Sequence, residues 1–259
     1  MMKRNIVLVL AGAALLCAQT PVDRSWSILE SGVSEKAADT RVKAVRSLGL
    51  IANNSKAQQL AEKALTDPKP EVEAAAAEAL GQMGAKSSVG KLVEAVKSKE
   101  SEVVFAATNA LFLLGDPRAY DVYYAVLTGE RKSGEGLIDS QMKMLKDPKA
   151  LAHLGFEQGI GFIPFAGMGY SVFKTVTKDD TSPVRAAAAG KLARDKDPKS
   201  AAALQKTASD PKWLVRAAIV DAIAKRGDPA LLKAVWPLLN DSNETVRFTA
   251  AATILRLTK

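Results

Sequence analysis

Residues 180–210 read DTSPVRAAAAGKLARDKDPKSAAALQKTASD, and residues 210–241 read DPKWLVRAAIVDAIAKRGDPALLKAVWPLLND. Each stretch holds a Val-Arg pair, and apolar side chains recur 3, 4 and 8 residues after the valine, on one face of an α-helix. An Asp-Pro pair follows thirteen residues after each valine, at Asp197 and Asp228. Asp accepts hydrogen bonds from the free N–H groups of a first turn, and Pro lacks only an N–H that would be unpaired there. Each stretch therefore predicts two short antiparallel helices joined by a tight turn.

The same pattern recurs along the chain with a period close to 31 residues. Its anchoring valines are Val42, Val72, Val103, Val184, Val215 and Val246. Gly134 takes the anchor position of a degenerate fourth repeat, residues 134–157. One helix pair cannot bury its apolar face alone, whereas stacked pairs share a continuous core.

The predicted fold is therefore all-α, an α-solenoid of stacked antiparallel helix pairs over residues 39–259. Residues 19–38 are expected to form an N-terminal capping segment. The helix that begins near Val246 is expected to be a half-repeat that closes the C-terminal end.

The two quoted stretches resemble the short HEAT-like repeats of phycobilisome lyases and of many bacterial scaffold proteins. The resemblance extends over most of residues 39–259 and implies a HEAT-like superhelix. Deoxyhypusine-hydroxylase-like members bind iron through repeated His-Glu pairs, but here the one histidine, His153, precedes Leu154. That branch is excluded, whereas the bilin-lyase branch, defined by its partner chromoprotein, is not excluded by motif.

The Val-Arg pairs recur at the repeat period, so Arg185, Arg216 and Arg247 should form a ladder along the stack. In HEAT-like families such an arginine usually pairs with an aspartate of the same or the next repeat, and Asp210 and Asp241 have matching offsets. An internal Arg-Asp ladder is the favoured interpretation, and a basic stripe that binds phosphates is the alternative. Since the first three repeats carry Lys43, Glu73 and Val104 at this position, we expect the ladder only in the C-terminal half.

Residues 155–178 form an apolar, glycine-rich insertion between the fourth repeat and the next. Its first part, 155–174, holds four of the seven phenylalanines and five of the 17 glycines of the chain. Its aromatic side chains must be covered by the protein itself, by a partner or by a membrane surface. We expect most of them to be buried, with one or two at the edge of a binding groove. The candidate partner-binding residues are Phe162, Phe165, Tyr170 and Phe173.

The N-terminus has the order of a secretory signal peptide, which is charged, then apolar, then small and polar. Lys3 and Arg4 precede an apolar run over residues 6–16, which is too short for a bilayer span of about 20 residues. We expect cleavage after Ala18, so that residues 1–18 are removed and the protein is exported to the periplasm or secreted. Lipidation of Cys17 is the less favoured alternative, because bulky Leu16 precedes it.

Composition favours binding over catalysis. One Cys and one His exclude an intrachain disulfide, most metal sites and every Cys-His or Ser-His catalytic arrangement beyond a single candidate. We therefore expect no catalytic, metal or cofactor residues. The basic surplus belongs to residues 179–259, with 14 Lys and Arg against 9 Asp and Glu, and no block of like charge indicates a nucleic-acid site.

We therefore predict a non-enzymatic scaffold that binds a protein partner through the concave face formed by the second helices, together with the insertion. The alternatives are peripheral membrane attachment through residues 155–174 and an accessory lyase-like role on a partner. The sequence indicates neither the identity of the partner nor the oligomeric state.

Overall fold

The structure is a computed structural model that describes residues 19–128 and 181–258. Within these two ranges the chain forms helices and connecting turns, with no β-strand. The α-helices are α1 (Pro21–Gly32), α2 (Ala38–Leu48), α3 (Ser55–Ala64), α4 (Pro70–Gln82), α5 (Val89–Ala95), α6 (Ser101–Leu113), α7 (Arg118–Thr128), α8 (Ser182–Leu192), α9 (Pro198–Thr207), α10 (Trp213–Arg226), α11 (Leu232–Val235) and α12 (Glu244–Leu257). Short 3₁₀ turns occupy Lys86–Ser88, Pro229–Leu231 and Trp236–Asn240.

Side-chain caps begin several of these helices where the sequence predicts them. Asp197 accepts the Lys199 N–H at 2.8 Å at the start of α9, and Asp228 accepts the Ala230 N–H at 3.0 Å. Thr20 caps α1 through the Asp23 N–H at 3.1 Å, with proline as the first helical residue. Each cap satisfies one donor that the first turn leaves free.

The two helices of a repeat have different environments. The first helices are α2, α4, α6, α8, α10 and α12, and the second helices are α3, α5, α7, α9 and α11, the last extended by 3₁₀ turns. In α10, Val215 and every residue from 217 to 224 are buried, and α12 is buried over most of its length. A helix that is apolar all round lies in the core. The second helices therefore present most of the exposed side chains in these repeats.

The first helices stack in the order α8, α10, α12, α2, α4, α6. The C-terminal helix α12 thus packs against α2 of the N-terminal half. The N-terminal helix α1 packs against both α12 and α2, in the place of a second helix. Together α12 and α1 make one repeat, whose first helix, α12, comes from the C-terminal end of the described chain and whose second helix, α1, comes from the N-terminal end. We refer to this pair as the composite repeat.

Close contacts hold the composite repeat together. A Cβ built on Gly32 of α1 would lie 2.4 Å from the Phe248 ring of α12 and 2.8 Å from the Ala44 Cβ of α2, so glycine permits this approach. Thr40 donates to Glu244 at 3.3 Å, and Arg256 Nη1 donates to the Leu50 carbonyl at 2.7 Å. The composite repeat is therefore a fully packed layer of the stack.

This arrangement gives two predicted segments a different role. The helix anchored at Val246 was expected to close the C-terminal end, but α12 lies between α10 and α2. Residues 19–38 were expected to cap the N-terminus, but they contain α1, which completes the unit that α12 begins. A linear repeat pattern does not reveal this, because pairing between the two ends leaves no periodic signal. The degenerate repeat 134–157 and the insertion 155–178 lie outside the described residues.

The exposure of the anchoring valines reports their position in the stack. Val72, Val103, Val215 and Val246 are each at most 2% exposed, because each packs on the preceding first helix. Val184 is 71% exposed, and no described helix precedes α8 in the stack. The described stack therefore begins at α8 and ends at α6 and α7.

Candidate protein-binding surface

Arginine and aspartate side chains connect neighbouring repeats in the C-terminal half. Arg216 Nε donates to Asp241 Oδ2 at 2.6 Å and Arg216 Nη2 to Asp241 Oδ1 at 2.8 Å, a bidentate pair. Arg185 forms an ion pair with Asp210 at the same separation of 25 residues. In the Arg216–Asp241 pair the side chains are only 13% and 5% exposed. The Arg216 charge is thus engaged inside the protein, whereas the Arg185 side chain is paired but 40% exposed.

The loops before α10 and α12 are each also bound by the arginine of the helix that follows. Arg216 Nη1 donates to the carbonyls of Asp210 and Pro211, at 2.8 and 3.1 Å. Arg247 Nη1 donates to the carbonyls of Asp241 and Ser242, at 2.7 and 3.0 Å. One loop thus contacts two arginines, one through its aspartate side chain and one through its carbonyls, so the network is continuous from repeat to repeat.

The ladder was expected only in the C-terminal half, and this expectation is wrong. Arg41 forms a bidentate pair with Asp67, both contacts 2.8 Å long, and its Nη1 donates to the carbonyls of Glu35 and Lys36. These backbone contacts lie six and five residues before the arginine, as they do for Arg216. Arg41 is therefore the counterpart of Arg216, although it precedes its anchoring valine, Val42, whereas Arg216 follows Val215.

Asp241 and Asp67 are held in their charged form by the arginines that pair with them. Burial alone would raise the pKa of Asp241, but hydrogen bonds from Arg216 and the Asn243 N–H outweigh it and keep the pKa below its usual value. The pKa of Asp67 is lowered in the same way against its burial, by Arg41 and the Lys69 N–H. Each aspartate thus ends a turn and pairs with an arginine, which leaves little arginine charge for a phosphate stripe.

Charges on the second helices of the N-terminal half also neutralise one another. Glu62 of α3 contacts Lys91 of α5 at 2.5 Å and accepts the Ser88 hydroxyl at 2.6 Å. Burial opposes ionisation, but hydrogen bonds from Lys91, Ser88 and Gln58 outweigh it and lower the pKa of Glu62 to about 2. These contacts cross from one repeat to the next.

A second bridge of this kind joins α1 and α3. Lys56 pairs with Glu30 at 2.7 Å, and its ammonium lies 4.5 Å from the centre of the Trp26 ring. The charges and aromatic surface here are thus turned toward neighbouring repeats.

The second helices of the C-terminal half differ in charge. Neither α9 nor residues 232–240 contain an acidic residue. Lys199, Lys206 and Lys233 are exposed there, and no described residue forms an ion pair with them. Trp236 is 42% exposed on the same set of helices. We call Lys206, Lys233 and Trp236 the basic-tryptophan patch.

Aromatic side chains also cluster where α6 meets α7. The Phe112 ring lies edge-on to Tyr120 at 5.5 Å and to Tyr123 at 5.8 Å between centroids. Leu113 and Tyr124 are more than half exposed beside them. This cluster marks the last described layer of the stack.

Three features of residues 19–128 and 181–258 bear on other kinds of site: clusters of metal-ligating side chains, membrane-spanning helices and pockets. No group of three or more His, Cys, Asp or Glu side chains there could hold a metal ion. No described helix is long and apolar enough to cross a membrane. A surface depression of about 400 Å³ lies between the turn at Ala52 and Asn53, the turn at Gly227 and Pro229, and the end of α12. Its one charged group, Arg256, already donates to a carbonyl.

The sequence-predicted site residues fall into two groups. Arg185, Arg216, Arg247, Asp210 and Asp241 come together in the network described above. Phe162, Phe165, Tyr170 and Phe173 lie outside the described residues.

The basic-tryptophan patch was missed by sequence reasoning. Its signal is the lack of Asp and Glu in two successive second helices, beside a tryptophan at a surface position. That signal has meaning only once the stack shows which lysines find partners.

Comparison with known proteins agrees with this architecture. A family model described as HEAT repeats matches residues 27–112, 58–132 and 171–255. A search of curated proteins found no significant match.

Several solved structures are similar over most of the chain. The complex of CpcE and CpcF of phycocyanin lyase from Nostoc sp. PCC7120 is 17% identical, with 96% of this chain and 100% of that chain covered and a TM-score of 0.35. Human deoxyhypusine hydroxylase is 17% identical, with coverages of 91% and 84% and a TM-score of 0.31. A designed armadillo repeat protein is 16% identical, with coverages of 89% and 98% and a TM-score of 0.28. With its repeats stacked as described and the family model matching most of its length, the chain belongs to the HEAT-repeat family.

Proposed function

We propose that this protein is a non-enzymatic, exported scaffold or adaptor that binds a protein partner through the face formed by its second helices. The proposal rests mainly on the contrast between the two layers of helices. The first helices α10 and α12 are buried over most of their length, and Arg216 of α10 is paired inside the protein. The second helices carry the exposed side chains, including Trp236. Tryptophan and arginine are enriched among residues that dominate protein–protein binding energy, and exposed tryptophan is a common anchor.

Site-specific crosslinking tests this proposal. A photoreactive residue replaces exposed Gln205 on α9, and a matched control replaces exposed Glu71 at the start of first helix α4. The mature protein is irradiated in its native envelope fraction, and adducts are identified by mass spectrometry. We expect one partner to be captured from position 205 and not from position 71. Equal capture at both positions, or none at 205, contradicts binding through the second-helix face.

The insertion is a second part of the proposed site, through Phe162, Phe165, Tyr170 and Phe173. If it binds the partner, Phe162→Ala and Phe165→Ala leave the melting temperature nearly unchanged and abolish capture. If it packs inside the protein, each change costs about 3–5 kcal/mol of stability. Co-sedimentation with liposomes distinguishes membrane attachment, and visible absorbance of a bound chromophore distinguishes an accessory lyase role.

Export is proposed from the signal-like segment alone. Cleavage after Ala18 would leave Thr20, the cap of α1, in the mature protein. The intact mass of the exported protein should match a chain that begins at Gln19 without lipid, and an acylated Cys17 would contradict this.

A further inference from the structure

We infer that the partner segment bound by the second-helix face is acidic and carries an apolar or aromatic side chain that packs on Trp236. This inference deepens the proposed function and depends on it. The site is the basic-tryptophan patch, on the C-terminal part of α9 and the middle of the second helix that contains α11.

The repeat register places the members of the patch side by side. Arg185 and Arg216 reach their aspartates at an identical separation of 25 residues, so the two repeats superimpose with a shift of 31. By that shift, Gln205 and Lys206 are the counterparts of Trp236 and Pro237 on the adjacent second helix. Neighbouring helix axes lie about 8–10 Å apart, which a single peptide segment spans. Lys233 lies one helical turn before Trp236, on the same side.

The positive charge of the patch is not cancelled by its surroundings. Asp210 and Asp241, which follow the two helices, are occupied by Arg185 and Arg216. Asp197 and Asp228 cap the opposite, N-terminal ends of these helices.

On the composite repeat at the far side of the patch, one carboxylate is paired and one arginine contacts an uncharged amide. Its Glu30 pairs with Lys56, and its Arg24 hydrogen-bonds to Asn240. Lys206 and Lys233 are therefore exposed, and no carboxylate among residues 19–128 and 181–258 forms an ion pair with them.

Charge complementarity selects the occupant. The equivalent surface on α3 and α5 forms its own bridges between repeats, through Glu62 and Lys91. On α9 and α11 the carboxylates of such bridges are missing, and a partner that supplies them would complete the pattern. Complementary charges steer association and fix register, while a desolvated tryptophan supplies binding energy. An acidic protein segment with an apolar residue provides both.

Fluorescence anisotropy with defined probes tests the inference on the mature chain, residues 19–259. The probes are a labelled peptide of Asp and Glu around a central Trp, the same peptide with Asn and Gln, oligothymidylate, and phosphatidylglycerol vesicles. We expect the acidic peptide to bind about tenfold or more tightly than its neutral counterpart. Trp236→Ala and the double variant Lys206→Gln, Lys233→Gln should each weaken it about fivefold or more.

The control variant is Lys63→Gln with Lys99→Gln, which removes two exposed lysines from the N-terminal half. It should alter the affinity less than about twofold. Equal losses in control and patch variants, or equal binding of the neutral peptide, overturn the inference. Tighter binding of oligothymidylate or vesicles that is lost in the patch variants also overturns it, in favour of a nucleic acid or a membrane.

The same variants separate this inference from the proposed function. If crosslinks from position 205 persist unchanged in the Lys206→Gln, Lys233→Gln variant, the acidic-partner inference is wrong and the second-helix face still binds a protein. If position 205 captures no partner, the proposed function itself fails.

Discussion

A few paired residues determine how the repeats are joined. Arg216 links three segments, since it pairs with Asp241 and donates to two carbonyls of the loop before its own helix. Breaking a buried ion pair by removing one partner leaves the other charge uncompensated. Pairs of this kind therefore bear on stability more than exposed pairs such as Lys97 with Glu94.

Substitution Arg216→Ala should destabilise the protein by about 3 kcal/mol, because it leaves the buried Asp241 carboxylate without its cationic partner and removes the arginine donor from two loop carbonyls. The melting temperature should then fall by roughly 6 °C or more, measured by circular dichroism. Partner affinity should stay within about threefold, because the pair lies inside the protein. Arg194→Ala, at an exposed residue with no ion pair to a described side chain, is the control and should have little effect. A stable Arg216→Ala variant that no longer binds would favour the basic-stripe interpretation.

Asp221 differs from the aspartates of the Arg-Asp pairs, because one of its carboxylate oxygens has no hydrogen-bond donor among the described residues. It is 4% exposed in α10 and pairs with Lys225 at 2.7 Å, but its Oδ1 accepts no hydrogen bond. Burial raises the pKa of Asp221, and the charges of Lys225 and Arg256 oppose that rise only in part. The raised pKa means that Asp221 binds its proton more tightly in the folded state than in the unfolded chain. The free energy of unfolding therefore falls as the pH rises from the ordinary pKa of aspartate to the raised pKa of Asp221.

Substitution Asp221→Asn should therefore raise the melting temperature at pH 7. The gain should shrink as the pH falls toward the ordinary pKa of aspartate, about 4, because the wild-type side chain then becomes protonated in the unfolded chain as well as in the folded state. Thermal melts between pH 4 and pH 8 measure the difference, with Asp121→Asn, an exposed acid on α7, as the control. A lower melting temperature at pH 7 would mean that the ion pair with Lys225 outweighs the burial.

At the scale of elements, small residues decide how closely helices approach. A Cβ on Gly81 of α4 would lie 2.7 Å from the Ala110 Cα of α6, and a Cβ on Gly32 would meet the Phe248 ring. Both glycines lie where two helices meet, and any larger residue forces them apart. The composite repeat thus depends on one glycine at the end of α1.

Substitution Gly32→Ala should destabilise the protein by about 1–3 kcal/mol, the usual cost of overpacking a close contact. The matched control is Gly190→Ala in α8, where an added Cβ would meet nothing within 4 Å. That change should stabilise the helix by about 0.5–1 kcal/mol, because alanine loses less backbone entropy than glycine. Urea denaturation of both variants measures the two effects. Equal behaviour would argue that α1 does not pack on α12 as described.

The helices themselves were largely predictable from the sequence, and the connection between its ends was not. The offsets of Val215 and the Asp-Pro pair at Asp228 each reflect local physics, namely the helical period and the geometry of a first turn. Arg41 was missed because its partner, Asp67, is recognised by three-dimensional contact and not by its distance from the nearest valine. Trp236 and Lys206 were missed because a free charge is defined by its neighbours, which a linear pattern does not contain.

At the scale of the whole molecule, the stack passes through the composite repeat, so the two ends of the described chain meet in its interior. Spin labels on exposed Ser27 of α1 and exposed Lys233 of α11 test this directly. The single cysteine of the chain, Cys17, precedes the expected cut, so two introduced cysteines label the mature protein specifically.

Electron–electron double resonance should give a short distance between these labels, since adjacent helix axes lie about 8–10 Å apart. A linear arrangement, with α1 at one end and α11 near the other, would separate them by several such spacings, roughly 40 Å. Labels on Ser27 and Lys63, in neighbouring second helices, provide the reference distance. A long Ser27–Lys233 distance beside a short reference distance would rule out the composite repeat.

The composite repeat also sets the order in which the molecule can be completed. On the ribosome α1 is made first and α12 last, about 210 residues later, so at about 5–20 residues per second the first helix waits roughly 10–40 s for its partner. Throughout that interval Leu29, which is fully buried in the finished protein, can be covered by α2 at most and lacks the surface that α12 provides. We therefore expect the nascent chain to carry an incompletely covered apolar helix until α12 is released, which would make it a substrate for a chaperone or for a translocation channel that keeps it unfolded.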